Sequence, residues 1–132
     1  LLGDIGAGRV DLLAYNDHTP SIVKRLEDTT KLAKYAERAG MGTEAFISLA
    51  EQVYTRRPEV PAAQRRLAEA ARAAGIPMLS HDDDTPATRA AFRALGATIC
   101  EFPVAEAVAE AARAAGAAVV MGAPNVVRGG SH

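Results

Sequence analysis

Two short stretches gather the side chains best suited to chemistry, "NDHTP" at 16–20 and "SHDDDTP" at 80–86. Each sets a histidine beside aspartate, after an apolar run and just ahead of a Thr-Pro pair. Neutral imidazole binds divalent metals well, and a carboxylate that accepts the second ring N–H fixes its tautomer. His18 and His81 are therefore candidate co-ligands for Zn²⁺ or a similar ion, which would acidify a bound water toward neutral pH. Asp82 and Asp83 are candidates either to support such a site or to act in catalysis. Asp84 is assigned to the next helix, whose N-terminus favours aspartate through its dipole and open N–H groups. A solvated turn is the plain alternative for each stretch.

Two further motifs follow. "EFP" carries Glu101, which could equally pair with a surface arginine. "GAPN" brings Asn125, and "RGGSH" (128–132) offers paired glycines with Arg and Ser. Successive backbone N–H groups around such glycines form an anion-binding concavity, suited to phosphate or pyrophosphate. A flexible surface loop explains the same residues without a ligand.

These motifs need elements to hold them, and the second half of the chain supplies a period. "AARAAG" ends at Gly75, "AFRALG" at Gly96 and "AARAAG" again at Gly116, each followed by a short apolar segment. Each unit reads as helix, glycine stop, buried strand, polar turn and next helix. Val104, Ala107, Val108, Ala111, Ala112 and Ala115 follow helical spacing, and Val60, Leu67, Ala70, Ala71 and Ala74 do so similarly. Thr19-Pro20 and Thr85-Pro86 read as N-cap and first-turn pairs. "RVDLLAY" (9–15) reads as an earlier strand, and Ser21–Arg57 as two helices broken at "GMGT". The expected architecture is one α/β segment over 1–132, with four parallel strands alternating with helices. That is about half of a (β/α)8 barrel of roughly 250 residues. The motifs fall at strand exits, where such folds place their chemistry.

Composition bounds the rest. The 132 residues are 48% hydrophobic and 23% charged with net charge −1, so nothing favours nucleic acid or an anionic membrane as partner. Aromatic residues are only 5%, which favours alanine-packed helices on a sheet over an aromatic binding surface. The single cysteine, Cys100, excludes an intrachain disulfide and fits the cytoplasm. No apolar run reaches the ~18 residues of a membrane span. There is no initiator Met and the chain stops at "VVRGGSH", so both ends read as cuts in something longer.

"DHTP", then "SHDDDTP" with "EFP" about twenty residues on, then "MGAPNVVRGGSH", occur in that order. Together they resemble the amidohydrolase of phosphonate metabolism in the carbon–phosphorus lyase pathway, over almost this whole chain. The resemblance covers only a central to C-terminal part of that family's barrel. It implies a metal-dependent hydrolase, using zinc or manganese, that releases pyrophosphate from a ribose 5-triphosphate bearing a 1-methylphosphonate. His18 then resembles the metal ligand after the fifth barrel strand, and His81 the one after the sixth. Asn125, Arg128, Gly129, Gly130 and His132 become candidate contacts for the substrate's phosphates. The family's early His-x-His or His-x-Asp pair, its bridging carboxylate or carbamylated lysine and its late strand-ending aspartate are absent. Ser21-Ile22 also stands where the family has glycine and glutamine. Metal binding by this stretch alone is then expected to be weak or absent and the chain inactive. Exposed sheet edges are expected to drive self-association.

Two other readings differ in class. A phospho-receiver domain also clusters aspartates at a strand end, but it needs a lysine at a later exit, and no lysine follows Lys34. A structural half-barrel without activity fits the same spacing.

Overall fold

The computed structural model describes residues 1–24, 29–123 and 127. The chain divides into two compact units, one of Leu1–Asn16 with Ala62–His132 and one of Asp17–Pro61. Asn125 and the "RGGSH" motif, with Arg128, Gly129, Gly130 and His132, lie outside the described residues.

The chain opens with α1 (Leu2–Gly6) and β1 (Leu13–Tyr15). The second unit follows, with α2 (Thr19–Val23), α3 (Thr29–Arg38), α4 (Thr43–Thr55) and a 3-10 turn at Arg57–Glu59. The chain continues through α5 (Val60–Ala73), β2 (Met78–His81), α6 (Pro86–Ala94), β3 (Ile99–Glu101), α7 (Glu106–Ala114) and β4 (Ala118–Val120).

The four strands form one parallel sheet in the order β1-β2-β3-β4, alternating with helices as the period implied. Its register pairs Tyr15 with Ser80, His81 with Glu101 and Cys100 with Val119. The strands are shorter than the apolar runs. The expected strand at 9–15 contracts to Leu13–Tyr15, and β2 begins only after Pro77. Proline has no N–H for the ladder, yet its carbonyl still accepts from Leu13 N at 3.0 Å.

Helices pack onto the sheet through small residues. Leu13, Tyr15, Ala68, Ala71, Met78 and Ala97 form one buried cluster, joined by Leu67, Ile76, Phe92 and Leu95. Within it the Tyr15 ring stacks on Phe92 at 5.5 Å, and its hydroxyl meets Met78 Sδ at 3.3 Å. Cys100, Val108, Ala112 and Ala117 form a second cluster with Val119. The repeat glycines end their helices at positive φ, and at Gly96 (φ 105°) an added Cβ would lie 2.7 Å from Met78 Cε.

Two local readings change. On α7 the inward stripe is Val108, Ala111, Ala112 and Ala115, whereas Val104 and Ala107 are exposed. Val104 precedes the helix, so the helical period does not reach it. At α2 the N-cap is His18, with Thr19 and Pro20 as the first helical residues. Asp17 Oδ1 accepts from Thr19 N at 3.0 Å, an aspartate turn that starts the helix one residue early.

In the second unit, Leu32 and Ala36 on α3 are fully buried, and Tyr35 stacks on Phe46 at 6.3 Å. The break at "GMGT" is real, with Gly40 at φ 67°. No described helix is long and apolar enough to cross a membrane.

Candidate functional site

Strand β2 buries Met78, Leu79 and Ser80 in succession, as expected of a parallel strand covered on both faces. His81 is its last residue and the first to reach partial exposure. The register places Glu101, the last residue of β3, beside it. His81 Nδ1 lies 2.6 Å from Glu101 Oε2. With one ring proton on Nδ1 the imidazole donates to this carboxylate and leaves Nε2 to accept or to ligate; with both nitrogens protonated it donates to a carboxylate on either side. Asp82 Oδ1 sits 3.4 Å from Nε2. Two acceptors facing one another repel unless a cation lies between them, either a proton on the ring or a metal ion. This donor set, imidazole nitrogen with carboxylate oxygen, fits a divalent ion.

Backbone geometry brings these groups together. Asp82 follows the strand at φ 55° and donates its N–H to the Glu101 carbonyl at 3.0 Å. Phe102 repeats the arrangement one strand on, at φ 52°, donating to the Val120 carbonyl at 2.9 Å. Aspartate tolerates the left-handed region; phenylalanine does so rarely. The Phe102 ring meets the imidazole of His81 edge-on, with centroids 5.4 Å apart.

The three aspartates divide the work. Asp82 is partly exposed beside His81, whereas Asp83 is fully buried. Asp83 Oδ2 accepts from Ser80 Oγ at 2.5 Å, faces Arg89 Nη1 at 3.4 Å and receives the Cys100 thiol at 3.6 Å. Burial pushes the Cys100 thiol pKa up, and the Asp83 carboxylate adds to the shift. Asp84 turns outward and accepts from Thr88 Oγ1 at 2.8 Å, while Thr85 caps α6 through its bond from Thr88 N at 3.1 Å. Thr85 and Pro86 thus start α6 as the sequence implies, whereas Asp84, expected at the open N–H groups, accepts from the Thr88 hydroxyl.

The first unit therefore brings His81, Asp82, Asp83 and Glu101 to one strand exit. His18 belongs to the other unit, where its carbonyl accepts from Ile22 N at 3.0 Å and Ser21 Oγ at 2.9 Å. Three residues of the β2–β3 exit have no role assigned from the sequence: Ser80 and Phe102, within the quoted motifs, and Arg89, outside them. Arg89 did leave a signal. With Phe92 it falls at i and i+3 on the inward side of α6, an odd place for a cation unless an acid faces it.

No family model matches the chain, and no solved structure matches it. Over 66 residues it is 52% identical to the Escherichia coli (strain K12) protein named alpha-D-ribose 1-methylphosphonate 5-triphosphate diphosphatase. That stretch is 50% of this chain and only 18% of the relative's length, so the chain is similar to a small part of a phosphonate diphosphatase.

Proposed function

We propose that this chain is part of a metal-dependent hydrolase of phosphonate breakdown, whose parent protein releases pyrophosphate from alpha-D-ribose 1-methylphosphonate 5-triphosphate. One observation carries the site: His81 Nε2 and the carboxylate of Asp82 converge at 3.4 Å, with Glu101 at 2.6 Å from the opposite ring nitrogen. The similarity to the Escherichia coli diphosphatase supports the reaction.

In this reading His81 is a metal ligand through Nε2, and His18 carries the same role on the strength of its "DHTP" motif alone. A bound divalent ion, zinc or manganese, supplies an acidified water for attack on phosphorus. Glu101 keeps the proton on Nδ1 and fixes the ring plane. Phe102 closes one edge of the imidazole against solvent. Asp82, partly exposed, is the proposed proton acceptor; Asp83, fully buried, braces the turn from within. Asn125, Arg128, Gly129, Gly130 and His132 remain the proposed contacts to the departing pyrophosphate.

The test is pyrophosphate release by the full-length protein from the ribose triphosphate substrate. Activity should vanish with a chelator, return with Zn²⁺ or Mn²⁺, and fall at least ~100-fold in His81→Asn. Full activity in chelator would end the metal reading. We also propose self-association through the sheet edge. Among the described residues β4 pairs with β3 alone, and its last residue Val120 and the following Met121 are 41% and 47% exposed. A strictly monomeric sedimentation profile of the chain would contradict that.

A further inference from the structure

Arg89 is a charged side chain with 2% exposure, and its guanidinium reaches two side chains and two backbone carbonyls. Nη1 donates to Ser80 Oγ at 2.5 Å and lies 3.4 Å from both Asp83 Oδ2 and the Ile99 carbonyl. Nη2 donates to the Ala97 carbonyl. The Ser80 hydroxyl in turn donates a hydrogen bond to Asp83 Oδ2, so one guanidinium, one hydroxyl and one carboxylate close a buried triangle. The arrangement spans α6, the last turn of β2 and the entry to β3.

A buried ion pair gives little net stability, because desolvating two charges offsets much of their attraction. Asp83 Oδ1 and Arg89 Nε also lack hydrogen-bond partners among the described residues, which adds to the cost. A hydrophobic pair of similar volume would hold α6 to the sheet at least as well. Directional hydrogen bonds, unlike apolar contacts, tie particular atoms of a turn to particular partners. Here the turn matters: Asp82 is left-handed, its N–H bonds Glu101 O, and the Asp83 carbonyl accepts from Val104 N at 3.0 Å.

We infer that Arg89 is a positioning residue that acts through Asp83 and Ser80 to lock the 81–83 turn, and so to aim His81 and Asp82. At 2% exposure it acts from within, through these neighbours. The inference rests on the proposed role of His81 only for its consequence in catalysis; the lock itself is a property of the turn.

The test is hydrogen exchange of the full-length protein, read at residues 80–84 and 101–104 against the rest of the sheet. Arg89→Met alone leaves Asp83 buried and uncompensated, which exposes this variant to misfolding. The informative variant is therefore Asp83→Asn with Arg89→Met, which removes both charges. It should melt near the wild-type temperature, yet exchange about tenfold faster or more at the Asp82 and Val104 amides, with β2 and β3 interiors unchanged. Arg89→Lys should show the same local loss, because an ammonium cannot span Ser80, Asp83 and Ala97 together. Wild-type protection at 80–84 in the double variant would overturn the inference. So would acceleration spread evenly across the sheet, the mark of a merely structural pair. Mn²⁺ uptake by the wild-type protein is scored separately: its absence would remove the metal reading, while the exchange pattern alone decides the lock.

Discussion

The exits of β2 and β3 share one backbone and carry different chemistry. Each strand ends in a polar residue, His81 or Glu101, and each next residue is left-handed with its N–H on the following strand's carbonyl. After β2 come three aspartates, one of them sealed in a buried triangle with Ser80 and Arg89. After β3 come Phe102 and the buried Pro103, which close the exit with apolar surface. The repeat thus sets where side chains emerge, and the residues placed there decide what the exit does. One exit supplies the imidazole and acid; the other supplies their brace.

The largest expected effect comes from breaking the β2 side of this comparison. Asp83→Ala strands Arg89 in the interior and should cost about 3–5 kcal/mol in urea unfolding. A loss under about 1 kcal/mol would mean the guanidinium finds water instead. Next, Gly96→Ala should destabilise by about 2 kcal/mol, more than Gly75→Ala at about 1 kcal/mol. Both positions have positive φ, but only Gly96 faces a packed side chain, the methyl of Met78.

The shared backbone can be sharpened directly. Phe102→Gly should be more stable than Phe102→Ala by about 1 kcal/mol, because both lose the ring and only alanine keeps the left-handed strain. The same pair of changes at Asp82 should give the same difference. A smaller effect concerns Cys100, between the two exits. Its raised pKa and complete burial leave it a protonated thiol, so alkylation at mildly alkaline pH should proceed only as fast as β3 opens.

The smallest effect lies far from both exits. The Arg9 guanidinium, 2.6 Å away, holds the Asp4 carboxyl below its usual range. Such a shift contributes stability above the ordinary carboxylate pKa and loses it as pH falls through the lowered value. The pair is exposed, so Asp4→Asn should move the melting temperature by less than about 1 °C.

What the sequence disclosed follows physical lines. Glycine at each helix end and apolar runs after it announce a parallel α/β repeat, because few other residues can stop a helix that way. His81 and its neighbouring acids stood out because polar residues right after a buried strand need a reason. Strand limits were less legible: Pro77 and the short ladder at β1 depend on which N–H groups find partners. The separate fates of Asp82, Asp83 and Asp84 were also hidden. A left-handed residue reverses the alternation of the strand, and nothing in the letters "DDD" says that it sits at Asp82. Phe102 gave no hint, since an aromatic residue is seldom found at positive φ. Arg89 looks like any charged residue of a helix until its inward phase on α6 is set against the buried Asp83.

The most direct test of the central claim is metal affinity of the full-length protein, compared between wild type, His81→Asn and Glu101→Gln. If His81 is a ligand oriented by Glu101, the first variant loses the ion at that site and the second weakens binding about 10–100-fold. Unchanged affinity in both would contradict the account, leaving the β2 exit as a hydrogen-bonded turn without a metal.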